Sequence, residues 1–192
     1  RQQRVRGQTE GEFIDIDAGI DAMIARRAGA APDTRVYCRY ERRSRDMSVL
    51  LLIDSSRSTT ERMRGSTSTV LEMERLSTAL LARAMTDVGD AFAIAAFCSN
   101  GREDVRYERV KDFGRPFDAG ALDRLAGLVG DYSTRLGAVM RHAGNDLRSQ
   151  KSYRRLLMIV TDGEPSDIDV HDPDYLAEDA RAAVHELNRD GI

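Results

Sequence analysis

Five oxygen-bearing side chains lie in three separate parts of the sequence and could together bind a cation. They are Asp54, Ser56, Ser58, Thr134 and Asp162. The set supplies two carboxylates and three hydroxyls, with neither histidine nor cysteine. Oxygen donors of this kind favour a hard divalent cation, Mg²⁺ or Mn²⁺, over zinc. Because hydroxyls are neutral, an ion that they bind directly, with the acids acting through water, keeps enough positive charge to take one further carboxylate.

The segment DSSRST (54–59) also has a second interpretation. Serine and threonine after a strand often accept hydrogen bonds from the free N–H groups at the start of the next helix. On its own, the segment fits a helix cap and a metal site equally well. Thr134 and Asp162, at matching places farther along the chain, favour the metal site.

Three short apolar runs predict the strands that position these side chains. They are SVLLLI (48–53), AFAIAAF (91–97) and LLMIV (156–160). Continuous apolar runs without alternation are typical of strands that are buried on both faces of a parallel sheet. The segment VRYERVKDF (105–113) alternates and predicts an edge strand. Ligands of such sheets bind at the carboxyl ends of the strands. Asp54 and Asp162 come just after two of the predicted strands and therefore lie at such ends.

Helices are predicted between the strands, over 70–85, 119–129, about 134–147 and about 174–189. The first helix is expected to pack on the core through residues that recur at helical spacing. They are Val70, Met73, Leu76, Ser77, Leu80 and Ala84. Its polar residues are expected on the outer face; they include Glu72, Glu74 and Arg75. The alternation of strands and helices predicts an α/β fold, a Rossmann-like, doubly wound, mostly parallel sheet.

Residues 1–46 are expected to form an N-terminal extension that leads into a domain at 47–192. Within the extension, a short helix is predicted over 15–29 and an alternating strand within 35–45. The domain reaches Ile192 where another strand is expected. We therefore expect the sheet to be C-terminally truncated, with its last strand or strands missing.

Composition and charge narrow the classes of partner. A net charge of -3 argues against nucleic acid, because proteins that bind it usually carry a strongly basic face. No run approaches the roughly 18 apolar residues of a membrane helix, so no membrane insertion is expected. Cys38 and Cys98 match no zinc spacing and are expected to be reduced thiols. Together with the lack of an apolar signal segment, these features predict a cytoplasmic protein.

The three oxygen-bearing segments resemble the metal-ion-dependent adhesion site of von Willebrand factor A (VWA) domains. DxSxS, a threonine in a glycine-containing loop and TDG occur in the order and near the spacing of that family. The resemblance implies a VWA fold in which Ser56, Ser58 and Thr134 contact Mg²⁺, or Mn²⁺, directly. It implies that Asp54 and Asp162 act through water, and that an Asp or Glu of a protein partner completes the coordination. A binding module without catalytic residues is therefore expected.

A second resemblance covers nearly the whole chain. The segments 27–46, 53–59, 91–113, 125–144 and 160–180 resemble the C-terminal domain of the CbbO/NorD proteins. These are large cytosolic adaptors that work with hexameric MoxR-type AAA+ ATPases of the CbbQ/NorQ type. CbbO-type members help remodel inhibited Rubisco, and NorD-type members are needed to mature nitric oxide reductase.

The resemblance implies an adaptor that links such an ATPase to its client. Our first expectation for the client is Rubisco, with nitric oxide reductase as the alternative. Thr60 and Glu61 stand where the family commonly has an Asn-Asp pair, so this position does not select a subfamily.

Two other functions stay open at this point. A Mg²⁺-dependent phosphohydrolase would use Asp54 as nucleophile, although Ser56 stands where such sites usually have a second acid. The domain could also be a structural plug within a longer protein. The acidic segment TDGEPSDIDVHDPD (161–174) is expected to be solvated, with Asp174 as a helix cap; a second cation site is the alternative.

Overall fold

A computed structural model describes residues 2–42, 46–163 and 165–192 of the chain. It divides into two compact units, Arg1–Arg45 and Asp46–Ile192. The first unit is a three-stranded antiparallel sheet with one helix, α1 (Ile16–Arg27). Its strands are β1 (Gln2–Gln8), β2 (Phe13–Ile14) and β3 (Tyr37–Arg42), in the order β1-β3-β2. The predicted helix and the predicted strand of the extension are therefore present.

The second unit contains a four-stranded, mostly parallel sheet. Its strands are β4 (Met47–Asp54), β5 (Ala91–Ser99), β6 (Val105–Lys111) and β7 (Arg154–Val160), in the order β6-β5-β4-β7. The central strand β4 runs parallel to both β5 and β7, whereas β6 pairs with β5 antiparallel. Every residue of β4 after Met47 is buried. The three apolar runs thus form the parallel strands, as the sequence predicts.

Helices cover both faces of this sheet. They are α2 (Val70–Val88), α3 (Ala119–Gly127), α4 (Leu136–Arg148) and α5 (Pro173–Arg189), with a short 3-10 helix at Arg57–Thr60. Alternate residues of β4 face opposite layers: Leu51 packs with α2 and α3, and Leu52 packs with α4. Helix α5 packs on α4 through a smaller cluster that includes Ala183. The α/β fold class predicted from the sequence is confirmed.

Strand β7 is at the edge of the described sheet, and most of its residues are half-buried. The expectation of further strands beyond Ile192 stays a prediction. Among the described residues, no helix is both long enough and apolar enough to cross a membrane.

The predicted inner face of α2 is wrong. Met73, Leu76 and Leu80 are 39, 55 and 66% exposed, respectively. The buried residues lie on another face and include Glu74, which was expected outside. They are Leu71, Glu74, Thr78, Ala82 and Met85.

The reason is that α2 carries two apolar stripes, so the spacing of apolar residues fits either face. The stripe with Ala82 faces the sheet, and Ala82 is completely buried there. A small residue at the contact allows the helix to approach the sheet closely. A capping box of Thr69 and Glu72 fixes the start of the helix.

This choice of face can be tested by mutation. Leu80→Gln should lower the free energy of unfolding by less than about 0.5 kcal/mol, because the side chain is largely exposed. Met85→Ala on the buried face should lower it by about 2–5 kcal/mol. Urea unfolding of both variants measures the difference. A larger loss for Leu80→Gln would place the Leu76–Leu80 face in the core.

Candidate metal site at the strand ends

Asp54 is the last residue of β4, and its carboxylate is completely buried. The backbone N–H of Ser56 donates to Asp54 Oδ1 at 2.8 Å, which turns the chain sharply after the strand. Thr59 Oγ1 donates to the Ser56 carbonyl at 2.7 Å and closes the 3-10 turn. Ser56 stands at the start of that turn, yet in the described structure its side chain makes no capping hydrogen bond. The helix-cap interpretation of DSSRST therefore does not account for the Ser56 hydroxyl.

The loop that carries Thr134 is held against the loop after β4. The backbone N–H of Asp131 donates to the Ser55 carbonyl at 2.9 Å, and that of Arg57 donates to the Tyr132 carbonyl at 3.0 Å. Tyr132 has φ of 63°, a left-handed conformation that is uncommon outside glycine. Gly130 allows the close approach, because a Cβ there would lie 2.5 Å from Thr60 Cγ2.

The structure brings the five predicted metal-ligand side chains together in two hydrogen-bonded groups. In the first group, Thr134 Oγ1 donates to Asp54 Oδ2 at 3.2 Å. In the second, the Ser56 and Ser58 hydroxyls are 3.0 Å apart, and Ser58 Oγ donates to Asp162 Oδ1 at 3.0 Å. Three separate loops therefore meet at the carboxyl ends of β4 and β7.

Thr161 joins this cluster, although the sequence analysis gave it no role. Its Oγ1 donates to Asp54 Oδ2 at 2.8 Å, which ties the end of β7 to the end of β4. Its place in the cluster could have been predicted from the sequence, because Thr161 is the first residue of the TDG motif.

The donor set fits a divalent cation chemically. Asp54, Ser56 and Thr134 are buried, whereas Ser58 and Asp162 are exposed, so the cluster is accessible from one side. Within the described residues, no group of three or more His, Cys, Asp or Glu is placed to hold a metal. A cation here would therefore depend on hydroxyl oxygens as well as carboxylates, as the sequence predicts. Mg²⁺ accepts such oxygen ligands and commonly keeps several waters.

Burial raises the pKa of Asp54 above its usual value, and hydrogen bonds from Ser56, Thr161 and Thr134 oppose the increase. The carboxylate is thus costly to keep ionised inside the protein. A nearby cation would lower this cost, because an opposite charge favours the ionised form.

Glu74 is the second buried carboxyl near the cluster. It lies in the second turn of α2, and it is only 6% exposed. Its Oε2 has no hydrogen-bond partner among the described residues. Burial, together with the negative charges of Asp54 and Asp162, raises the pKa of Glu74 to about 8. Glu74 was not among the site residues predicted from the sequence, although its spacing of three residues from Leu71 places it on the same helix face.

A buried ion pair supports the Thr134 loop from behind. Arg135 Nε lies 2.8 Å from Asp167 Oδ2, and both side chains are almost completely buried. Asp167 also accepts hydrogen bonds from Ser99 Oγ at 2.9 Å and from the Gly101 N–H at 2.8 Å. Although burial raises the pKa of Asp167, these donors outweigh it and hold the pKa below its usual value. The network connects the end of β5, the Thr134 loop and the acidic segment.

The expectation that the acidic segment is solvated is therefore only partly right. Asp167 is buried, and Asp169 pairs with Arg135 and accepts from the Arg102 N–H at 2.9 Å. The prediction that Asp174 caps α5 is also wrong. The side chain of Asp172 caps this helix and accepts a hydrogen bond from the Asp174 N–H at 3.0 Å. Glu164 lies outside the described residues.

Removal of the buried acid should destabilise the fold. Among the described residues, Asp167→Ala leaves Asp169 as the one acidic partner of the Arg135 guanidinium, so we expect the free energy of unfolding to fall by about 3 kcal/mol. Asp123→Ala, at an exposed position of α3, serves as the control. Thermal and urea unfolding measure both variants. Equal losses would show that the ion pair adds nothing to stability.

The buried Glu74 carboxyl should make the stability of the metal-free chain, measured in EDTA, depend on pH. Between its usual pKa of 4.5 and about 8, the unfolded chain releases the Glu74 proton while the folded chain keeps it. The unfolded state thus binds fewer protons, and this group lowers stability as pH rises through that range. Glu74→Gln should therefore stabilise the chain by on the order of 2–4 kcal/mol at pH 8 and by less at pH 5. Urea unfolding at both pH values checks this, and equal gains would contradict it.

Comparisons with known proteins agree with this fold. No protein-family model matches the chain. It is 36% identical to the uncharacterized protein PA0525 of Pseudomonas aeruginosa and 34% identical to the protein NorD of Stutzerimonas stutzeri, each over 191 residues. Both matches cover 100% of this chain and 31% of the relative. The chain therefore spans about a third of the length of the curated relatives it matches.

Two solved structures show the same fold. The PilB minor pilin from Streptococcus sanguinis is 14% identical over 65% of this chain and 31% of its own, with a TM-score of 0.54. Three N-terminal domains of the pili tip protein Mfa5 from Porphyromonas gingivalis are 18% identical over 67% of this chain and 22% of theirs, with a TM-score of 0.50. At these identities the likeness shows the fold alone: the chain shares its α/β fold with parts of these two proteins. Over its whole length it is similar to a protein named NorD.

Proposed function

We propose that this chain is a metal-dependent, protein-binding module of a NorD-type adaptor. The observation that carries the proposal is the meeting of five oxygen donors from three loops at one edge of the sheet. Ser56, Ser58 and Thr134 would hold Mg²⁺, or Mn²⁺, directly, with Asp54 and Asp162 acting through water. The ion would supply an open position for an Asp or Glu of a client protein.

The exposure of the cluster supports a role in binding. Ser58 and Asp162 are exposed, so a side chain of another protein can approach from that side. Asp54 and Thr134 are buried and keep the donors in place. The likeness to a protein named NorD supports an adaptor role, and we propose that the module has no catalytic residues of its own.

The relatives favour the NorD-type alternative over the CbbO-type expectation. A similar protein is named NorD, and the comparisons give no support to Rubisco as the client. We therefore propose nitric oxide reductase as the client and a MoxR-type AAA+ ATPase hexamer as the motor. The ATPase would supply the mechanical work, while this module recognises the client. We also propose a cytoplasmic location for it.

Asp162→Asn tests the metal site. It removes one charge at an exposed position, so the fold should be kept while Mg²⁺ affinity falls at least about tenfold. Asp123→Asn, the same change at an exposed position of α3, should bind Mg²⁺ as the unmodified chain does. Isothermal titration calorimetry measures both affinities.

The same proteins then test the client. The unmodified chain should capture nitric oxide reductase in Mg²⁺, and EDTA or Asp162→Asn should abolish the capture. Binding of Mg²⁺ without any capture would refute the client but keep the metal site. Capture of the reductase that is insensitive to EDTA would refute metal-dependent binding of the client.

A further inference from the structure

We infer that Glu74 is a positioning residue of the cation site, a buried carboxylate that accepts a hydrogen bond from a water bound to the cation. This inference rests on the proposed metal site. It adds a residue from α2 to a site that is otherwise built from strand-end loops.

The position of Glu74 in the fold is the first argument. Helix α2 packs against the 3-10 helix that carries Ser58, and the Val70 N–H donates to the Glu61 carbonyl at 3.0 Å. Glu74 is one turn farther along, on the buried face of α2. The helix that carries Glu74 therefore begins next to the segment that supplies two of the three hydroxyl ligands.

The unmet hydrogen-bonding capacity of this face is the second argument. Glu74 Oε2 and Thr78 Oγ1 are both buried, and neither has a partner among the described residues. Residues four apart lie on the same face of a helix, so the two groups are neighbours. Buried polar groups are nearly always hydrogen-bonded, and an exception needs a ligand, ion or water to explain it. A water between Glu74, Thr78 and a cation would satisfy all three.

The sign of the charge is the third argument. The charged side chains that act on Glu74 are Asp54 and Asp162, and both are acids. Without a cation, a carboxyl next to two carboxylates keeps its proton, whereas a cation among them favours the ionised form. Among the residues that the structure describes, no three acids are placed to ligate a metal together, so Glu74 acts through water rather than as a direct ligand. Such outer groups hold the ligands in place and typically change metal affinity 10- to 100-fold.

The test compares Glu74→Gln with Glu61→Gln in the whole chain. Both substitutions remove one carboxylate at nearly constant shape, and Glu61 is an exposed residue three positions from Ser58. Mn²⁺ binding is measured by electron paramagnetic resonance and calorimetry, and unfolding is measured in EDTA. We expect Glu74→Gln to weaken Mn²⁺ binding about 10-fold or more and to raise stability in EDTA. Glu61→Gln should leave both unchanged within about twofold.

The expected loss of Mn²⁺ affinity and gain in stability distinguish a positioning role from a packing role. Substitution of a merely structural residue would lower both the affinity and the stability. If Glu74→Gln binds Mn²⁺ as tightly as the unmodified chain, or is less stable in EDTA, the inference is overturned and the proposed metal site stands. If the unmodified chain itself binds no Mn²⁺, the proposed metal site fails and the inference fails with it.

Discussion

The buried carboxylate of Asp54 is the feature on which the rest of the site depends. It lies at the end of the central strand, out of contact with water, where an ionised group is stable only with hydrogen bonds or an opposite charge. Its donors are the Ser56 N–H and the hydroxyls of Thr134 and Thr161, and each comes from a different loop. This one carboxylate therefore stabilises three loop conformations, because moving any of the loops would remove one of its hydrogen bonds.

The sheet and a second buried charge pair explain why these loops can meet. Parallel pairing of β4 with β7 places Ile53 opposite Val160, so Asp54 and Thr161 lie at the same edge. On the other side, Asp167 binds Arg135, the residue after Thr134, and also binds Ser99 at the end of β5. Strand pairing thus places Asp54 and Thr161 at one level. The Thr134 loop is held there by backbone hydrogen bonds of Ser133 with Ser99 and of Thr134 with Ser166, in addition to the ion pair.

The strands, and the meeting of the five oxygen-bearing side chains at one edge of the sheet, could be predicted from the sequence because each depends on local information. A continuous apolar run identifies a buried parallel strand wherever it lies, and polar residues just after such a run lie at the ligand-binding edge. The buried face of α2 could not be predicted in this way. Leu76 and Leu80 are more apolar than Glu74 and Thr78, but the contact with the sheet is decided by the small Ala82. Likewise, Asp167 and Asp169 resemble any solvated acids in sequence, and only the fold brings Arg135 to them.

The charges around the strand ends are unbalanced, and this gives the site its chemical character. Asp54, Asp162 and Glu74 are close enough to influence one another, and all are acidic. Arg135, the buried base nearby in sequence, already pairs with Asp167 and Asp169. Neutral hydroxyls complete the cluster, so a cation that they bind directly would meet these negative charges only through water. Mg²⁺ commonly keeps several waters. In the proposed mode of binding, an acidic side chain from outside would replace one of those waters.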